Sequence, residues 1–179
     1  MVPVDIIKKY YEEESELYKI LLTHSLAVAD KALEISRMHP EMNIDEEFVY
    51  EAALLHDIGI FLTKAPKIHC FGEYPYICHG YLGSEIMCKE GFKKHALVCE
   101  RHTGSGLTKE NIIKENFSIP HRDMLPETVE EKLICFSDKF YSKSKPDRVK
   151  TVDQIRKHLS KYGHSSLNRF DEMQRLFLG

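Results

Sequence analysis

Between Leu17 and Met38 the chain reads LYKILLTHSLAVADKALEISRM. Leu17, Leu21, His24, Val28, Ala32 and Ile35 recur at steps of three and four, one face of a long amphipathic helix over roughly Ser15 to Met38. His39-Pro40 ends it, because the residue before a proline avoids the helical region. Downstream, a second helix starts near Asn43 or Asp45, carries Phe48, Ala52, Leu55 and His56, and is stopped or bent at Gly59. Pro66, Gly72 and Pro75 break Phe61 to Ile77 into an irregular loop with room for one short helical turn. Helices are expected again over about His79 to Lys89, with Gly91 as C-cap, over Lys93 to His102, and over Thr108 to Asn116. Thr128 and Glu131 have capping-box spacing for a helix running to about Ser142, and Lys143 to Lys150 is a basic loop. Thr151 and Gln154 repeat the box before a helix that Gly163 closes, and Ser165 to Leu178 makes the last helix. No alternating run meets a hairpin turn, so the expected fold is all-α, a single compact helical bundle over residues 1–179.

Composition narrows the function. A chain of 179 residues suits one domain. No apolar run is long enough to span a bilayer, and Met1 to Tyr10 lacks the apolar core of a secretory signal. The net charge of −3 gives a nucleic-acid or membrane-surface binder no support. Five cysteines, odd in number and without a Cys-x-x-Cys pair, argue against both a disulfide framework and a thiolate metal site, and point to the cytoplasm. Any metal must be held by carboxylates and by some of the ten histidines.

His24 lies on the apolar stripe of the long helix, and His56-Asp57 follows the apolar run Ala52-Ala53-Leu54-Leu55. His79 opens a helix in which Gly83 leaves space one turn on, His102 ends a helix before Thr103-Gly104-Ser105-Gly106, and Asp138 sits in an apolar helix. A lone buried histidine is more often a hydrogen-bonded core residue than a ligand. Several buried titratable groups in one small domain must each be satisfied, which is harder to dismiss. Imidazole with carboxylate suits Fe, Mn, Ni, Co or Zn better than Ca.

The order His24, then His56-Asp57-Ile58-Gly59, then Asp138 resembles the HD-domain superfamily of metal-dependent phosphohydrolases. His79 in HGYLGSE and His102 in RHTG are similar to the subgroup with a two-metal centre, and the resemblance covers roughly Leu17 to Ser142. The resemblance implies that His24, His56, Asp57 and Asp138 hold one divalent ion, Fe or Mn foremost. It implies that His79 and His102 hold the second, with Asp57 bridging. His56 and Asp57 would be central to catalysis, in which hydroxide between the metals attacks phosphorus. The substrate implied is a small phosphorylated metabolite, a nucleotide foremost, and both a monomer and a homodimer are compatible with it. Many relatives place a lysine soon after His-Asp, where it touches phosphate. Here the first is Lys64, so Lys64 and Arg101, beside His102, are the candidate substrate contacts. Lys139 is expected to face another way, toward a partner or solvent, and the loop of Lys143, Lys145, Arg148 and Lys150 to funnel an anion or be solvated. The same ligand set also serves mixed-valent di-iron oxygenases, and a nucleotide-binding sensor is a non-enzymatic alternative.

Overall fold

The computed structural model describes residues 2–179 and contains nine α-helices among them. Pro3 fits the first position of α1 (Pro3–Tyr10), where its missing N–H costs nothing. Ser15 then accepts a hydrogen bond from the Tyr18 N–H at 3.1 Å and starts α2 (Glu16–Met38). Asp45 caps α3 (Glu46–Leu55) in the same way through the Phe48 N–H. The sequence between α3 and α4 (His79–Lys89) forms short 3₁₀ turns and a two-stranded ladder of β1 (Lys64–Ala65) and β2 (Cys70–Phe71), paired antiparallel. Then follow α5 (Lys93–Arg101), α6 (Lys109–Lys114), α7 (Val129–Asp138), α8 (Val152–Leu159) and α9 (His164–Leu178).

The expected all-α class holds, and two details differ from the sequence reading. The α7 helix ends at Asp138 instead of continuing to Ser142, and residues 139–150 fold back as a loop. The α8 capping box forms in full, whereas only half of the α7 box does. Thr128 caps Glu131, but the Glu131 carboxylate turns away to Arg101 and the Glu127 N–H.

Two large apolar clusters meet along α2. Val28, Ala32 and Ile35 pack with Val49, Leu133, Phe136, Phe170 and Phe177, so α8 and α9 close one end of the molecule. Leu21 packs in the other cluster with Ile7, Leu55, Ile58, Met87 and Cys99. Burying each large aliphatic side chain contributes roughly 1.5–3 kcal/mol. His24 stands on α2 between the two clusters, where a polar group is tolerated only if it is satisfied.

Backbone crosses backbone beside this seam. A Cβ on Gly59 would lie 2.3 Å from the His79 carbonyl oxygen and 2.5 Å from the Gly83 nitrogen. Only glycine lets the turn after His56-Asp57 rest on the first turn of α4. The space at Gly83 is thus filled by Gly59 and Ile58 rather than left open over His79. Gly80 does the same for the approach of α5 at Cys99.

Candidate metal centre

Five segments deliver one polar group each to the seam, or two from the His-Asp turn. His24 comes from mid-α2, His56 and Asp57 from the turn after α3, His79 from the start of α4, His102 from the end of α5, and Asp138 from the end of α7. All six are buried. Their donor atoms form two groups, His24/His56/Asp57/Asp138 and Asp57/His79/His102, each compact enough to surround one ion.

Asp57 belongs to both groups because its two oxygens face different imidazoles. Oδ2 lies 3.2 Å from His24 Nε2 and 3.0 Å from His56 Nε2, while Oδ1 lies 3.4 Å from Nε2 of both His79 and His102. Asp138 Oδ1 approaches His24 Nε2 at 2.9 Å and His56 Nε2 at 3.5 Å. Despite this crowding, neither Asp57 oxygen nor His56 Nε2 has a hydrogen bond of acceptable geometry.

The histidine tautomers are fixed locally. Nδ1 of His56, His79 and His102 faces the carbonyl oxygens of Ala53, Tyr76 and Cys99 at 2.6, 2.7 and 2.8 Å. A carbonyl only accepts, so Nδ1 carries the hydrogen and donates it, leaving Nε2 as the free lone pair in a neutral ring. Nε2 of His79 and of His102 then face each other at 3.1 Å. Two lone pairs repel at that distance unless a proton or another cation stands between them. Burial, aided by neighbouring His102 and Lys143, pushes His79 down to about 3 despite the Asp57 charge, so a proton is a poor candidate. Burial lowers His102 as well. On the other side burial also opposes the charged form of His56, but the Asp57 and Asp138 carboxylates outweigh it and hold His56 at about 9. Burial would raise the two carboxylates, yet His56 and Lys143 around Asp57, and Lys139 and His24 around Asp138, keep both well below the ordinary range. A cradle of two carboxylates and imidazole nitrogens that attracts cations fits a divalent-metal centre.

The residues expected to contact substrate are placed differently. Lys64 is exposed on β1 and does not line the cavity that opens onto the cradle. Arg101 is held by Glu131, at 2.9 and 3.2 Å, and by Glu127. The cation beside the cradle is instead Lys143, whose Nζ lies 2.5 Å from Asp57 Oδ2 and 5.9 Å from the centre of the Tyr76 ring. Lys143 reaches this place from the loop that follows the end of α7 at Asp138. Lys139 does not face away from the centre as the sequence reading expected; it is buried and paired beside Asp138 in the same cavity wall. Its Nζ donates to the His102 carbonyl at 3.0 Å and to Asp138. His95, without a match in the family pattern, is buried against Phe48 and Phe92 with Glu51 at 3.2 Å.

A cavity of about 960 Å³ opens onto this centre, lined there by His79, His102, Asp138, Lys139 and Lys143. Its other walls include Tyr76, Phe117, Tyr141 and, from the C-terminal helices, His158, Tyr162 and Arg169. Nothing local in the sequence marks His158 or Arg169 as part of a site.

Among known proteins, the HD domain family model matches residues 21–142. The chain is 35% identical to an uncharacterized protein of Methanocaldococcus jannaschii, over 87% of this chain and 89% of that protein. It is 33% identical to a tRNA (cytidine(56)-2'-O)-methyltransferase of Picrophilus torridus, over 74% of this chain, and 27% identical to one of Thermoplasma volcanium, over 86%. The matches span only 33% and 40% of those two proteins. No solved structure matches the chain. With its His-Asp turn inside the matched segment, the chain belongs to the HD domain family.

Proposed function

We propose that the chain is a metal-dependent phosphohydrolase with a two-metal centre, cleaving a phosphate ester or anhydride of a nucleotide or similar small metabolite. Family membership suggests a metal-dependent hydrolase. The observation that carries the two-metal reading is Asp57, a buried carboxylate whose oxygens address two separate imidazole pairs. His24, His56, Asp57 and Asp138 would hold one ion, and Asp57, His79 and His102 the other. Bound there, divalent ions supply Lewis acidity and lower the pKa of coordinated water.

The chain's own groups do the rest. The Nδ1–H donors of His56, His79 and His102 hold the rings in position before any ligand arrives. Lys143 is a cation at the junction of cradle and cavity, suited to neutralising a phosphate's charge, whereas Lys64 is not among the residues lining the cavity. Lys139 fixes the orientation of Asp138 by bonding to it and to the end of α5. Tyr76, Tyr141 and Phe117 give the cavity aromatic surface for a nucleobase. The relatives named as tRNA methyltransferases support a nucleotide-like ligand over an unrelated phosphate ester, and five unpaired cysteines support a cytoplasmic setting.

The test is purification without chelator, elemental analysis, and assay of nucleotides and bis(p-nitrophenyl) phosphate with added Mn or Fe. Two equivalents of metal and hydrolysis that Asp57→Ala abolishes are expected. Metal far below one equivalent, with no hydrolysis of any ester, would overturn the reading. Oxygen consumption with a polyol or phosphonate would transfer it to the oxygenase alternative.

A further inference from the structure

The cavity is larger and more basic than one scissile phosphate requires. At about 960 Å³ it lies at the upper end of the roughly 300–1,000 Å³ that small-molecule pockets span. Besides Lys67, Lys114 and Arg169, its cations include two contrasting pairs. Lys139 and Lys143 are already paired with Asp138 and Asp57. Lys150 and Lys161 are different. Lys150 is half-buried and bonds only to the Tyr141 carbonyl, at 3.3 Å, and neither lysine pairs with a carboxylate among the described residues. His158, on α8, lines the cavity with them, Lys150 lying just before that helix and Lys161, followed by Tyr162, in the turn after it. These groups repel one another. Partial burial, then Lys150 and Lys161, depress His158, and burial with Lys139 and Lys143 depresses Lys150 against the pull of Asp138. Glu115 and Asp138 also line the cavity, but neither is paired with Lys150 or Lys161, and cations gathered in a concave wall without a carboxylate paired to them attract an anion.

This wall is built almost wholly from residues after Ser142, where the family match ends. The matched segment carries the cradle, and the C-terminal helices carry this second basic face. Arg169 joins the two, donating from α9 to the Ser105 and Gly106 carbonyls at 3.0 and 2.9 Å.

We infer that Lys150, His158 and Lys161 form a second anion subsite, so that the preferred substrate is a nucleotide bearing another phosphate besides the one hydrolysed. The inference rests on the phosphohydrolase reading for the identity of the first phosphate, while the subsite stands on its own residues. One phosphate then meets Lys143 at the cradle and the other meets the α8 wall, with the nucleoside against the tyrosines between them.

Calorimetric titration of the as-purified full chain separates these possibilities. The probes are AMP, ADP and adenosine 3′,5′-bisphosphate. At least one of the two diphosphorylated probes should bind tenfold or more tighter than AMP, and a preference between them shows whether the phosphates are joined directly or spaced by the nucleoside. In Lys150→Ala/Lys161→Ala that advantage should shrink to threefold or less while AMP affinity stays within threefold. Lys150→Arg/Lys161→Arg should keep the advantage. Equal affinity for all three probes, or an advantage that survives the alanine pair, overturns the subsite. A retained advantage in a protein that hydrolyses nothing overturns the phosphohydrolase reading and leaves the subsite standing.

Discussion

Replacing Gly59 by alanine tests the arrangement of the whole centre with one methyl group. The new Cβ meets the His79 oxygen at 2.3 Å and the Gly83 nitrogen at 2.5 Å. Both are backbone atoms, so no rotamer change relieves the clash. Ordinary contact requires about 3.4 Å or more, so one element must retreat by about 1 Å. The turn bearing Gly59 is the less movable partner, because Ile58 is fully buried and its carbonyl accepts a 2.7 Å hydrogen bond from the Tyr11 hydroxyl. The start of α4 should therefore move and take His79 with it. Metal–ligand distances tolerate roughly ±0.2 Å. A displaced His79 leaves the second group with two ligands, while the first group, which has no member on α4, stays whole. Overpacking of this kind costs about 1–3 kcal/mol. For a chain of this size that lowers Tm by roughly 2–12 °C. Elemental analysis and calorimetry of Gly59→Ala should show one equivalent of metal instead of two and a Tm within that range of loss. Two equivalents with an unchanged Tm would refute the packing argument. Loss of both ions would show that the His-Asp turn, not α4, gives way.

Three other outcomes are expected. Lys143→Ala should keep its metal content but lose roughly 10- to 100-fold in kcat/KM, the worth of a charge-assisted contact to phosphate of about 1.5–3 kcal/mol, and steady-state kinetics beside elemental analysis checks both halves. Because His56 is held at about 9, above its ordinary value, its protonation stabilises the chain fully below about pH 6.5 and less as pH rises through 9. The Tm of chelator-stripped protein should fall over that interval, and loading the first ion at pH 7 should release about one proton, measured by calorimetry in buffers of different ionisation enthalpy. Arg101→Ala leaves the buried Glu131 carboxylate without its guanidinium, so Tm should drop by several degrees, on the order of 2 kcal/mol, with kcat unchanged. A fall in kcat with unchanged Tm would return Arg101 to the substrate.

Four donors of the candidate centre stood out in sequence because each breaks a local pattern, while His79 and His102 joined them through the family resemblance. His24 interrupts an apolar stripe, and His56-Asp57 and Asp138 end apolar runs. Helix starts were legible where a side chain caps its own turn, as at Ser15, Asp45 and Thr151. Lys143 was not legible. It reaches Asp57 from a loop after α7, and the residues that follow Asp138 carry no strong breaker until Pro146 to announce that loop. Proximity along the chain did not reveal the partner of Arg101, whose neighbour His102 turns inward while its own side chain meets Glu131 from α7. Glu131 likewise fits a capping box by spacing, and a charged partner in space takes its carboxylate instead.

His56, His79 and His102 each aim their rings by bonding to a carbonyl three residues upstream, at Ala53, Tyr76 and Cys99. Each imidazole thus carries its own bracket within a single turn of chain. None of these brackets reaches the C-terminal helices that wall the cavity. Substitutions at cavity-facing positions of the C-terminal segment such as His158 and Tyr162, as distinct from core residues such as Phe170 and Phe177, can therefore accumulate without twisting the rings. Such a protein can change what it accepts faster than it changes how it reacts, with the centre as a fixed engine and the last two helices as an exchangeable fitting.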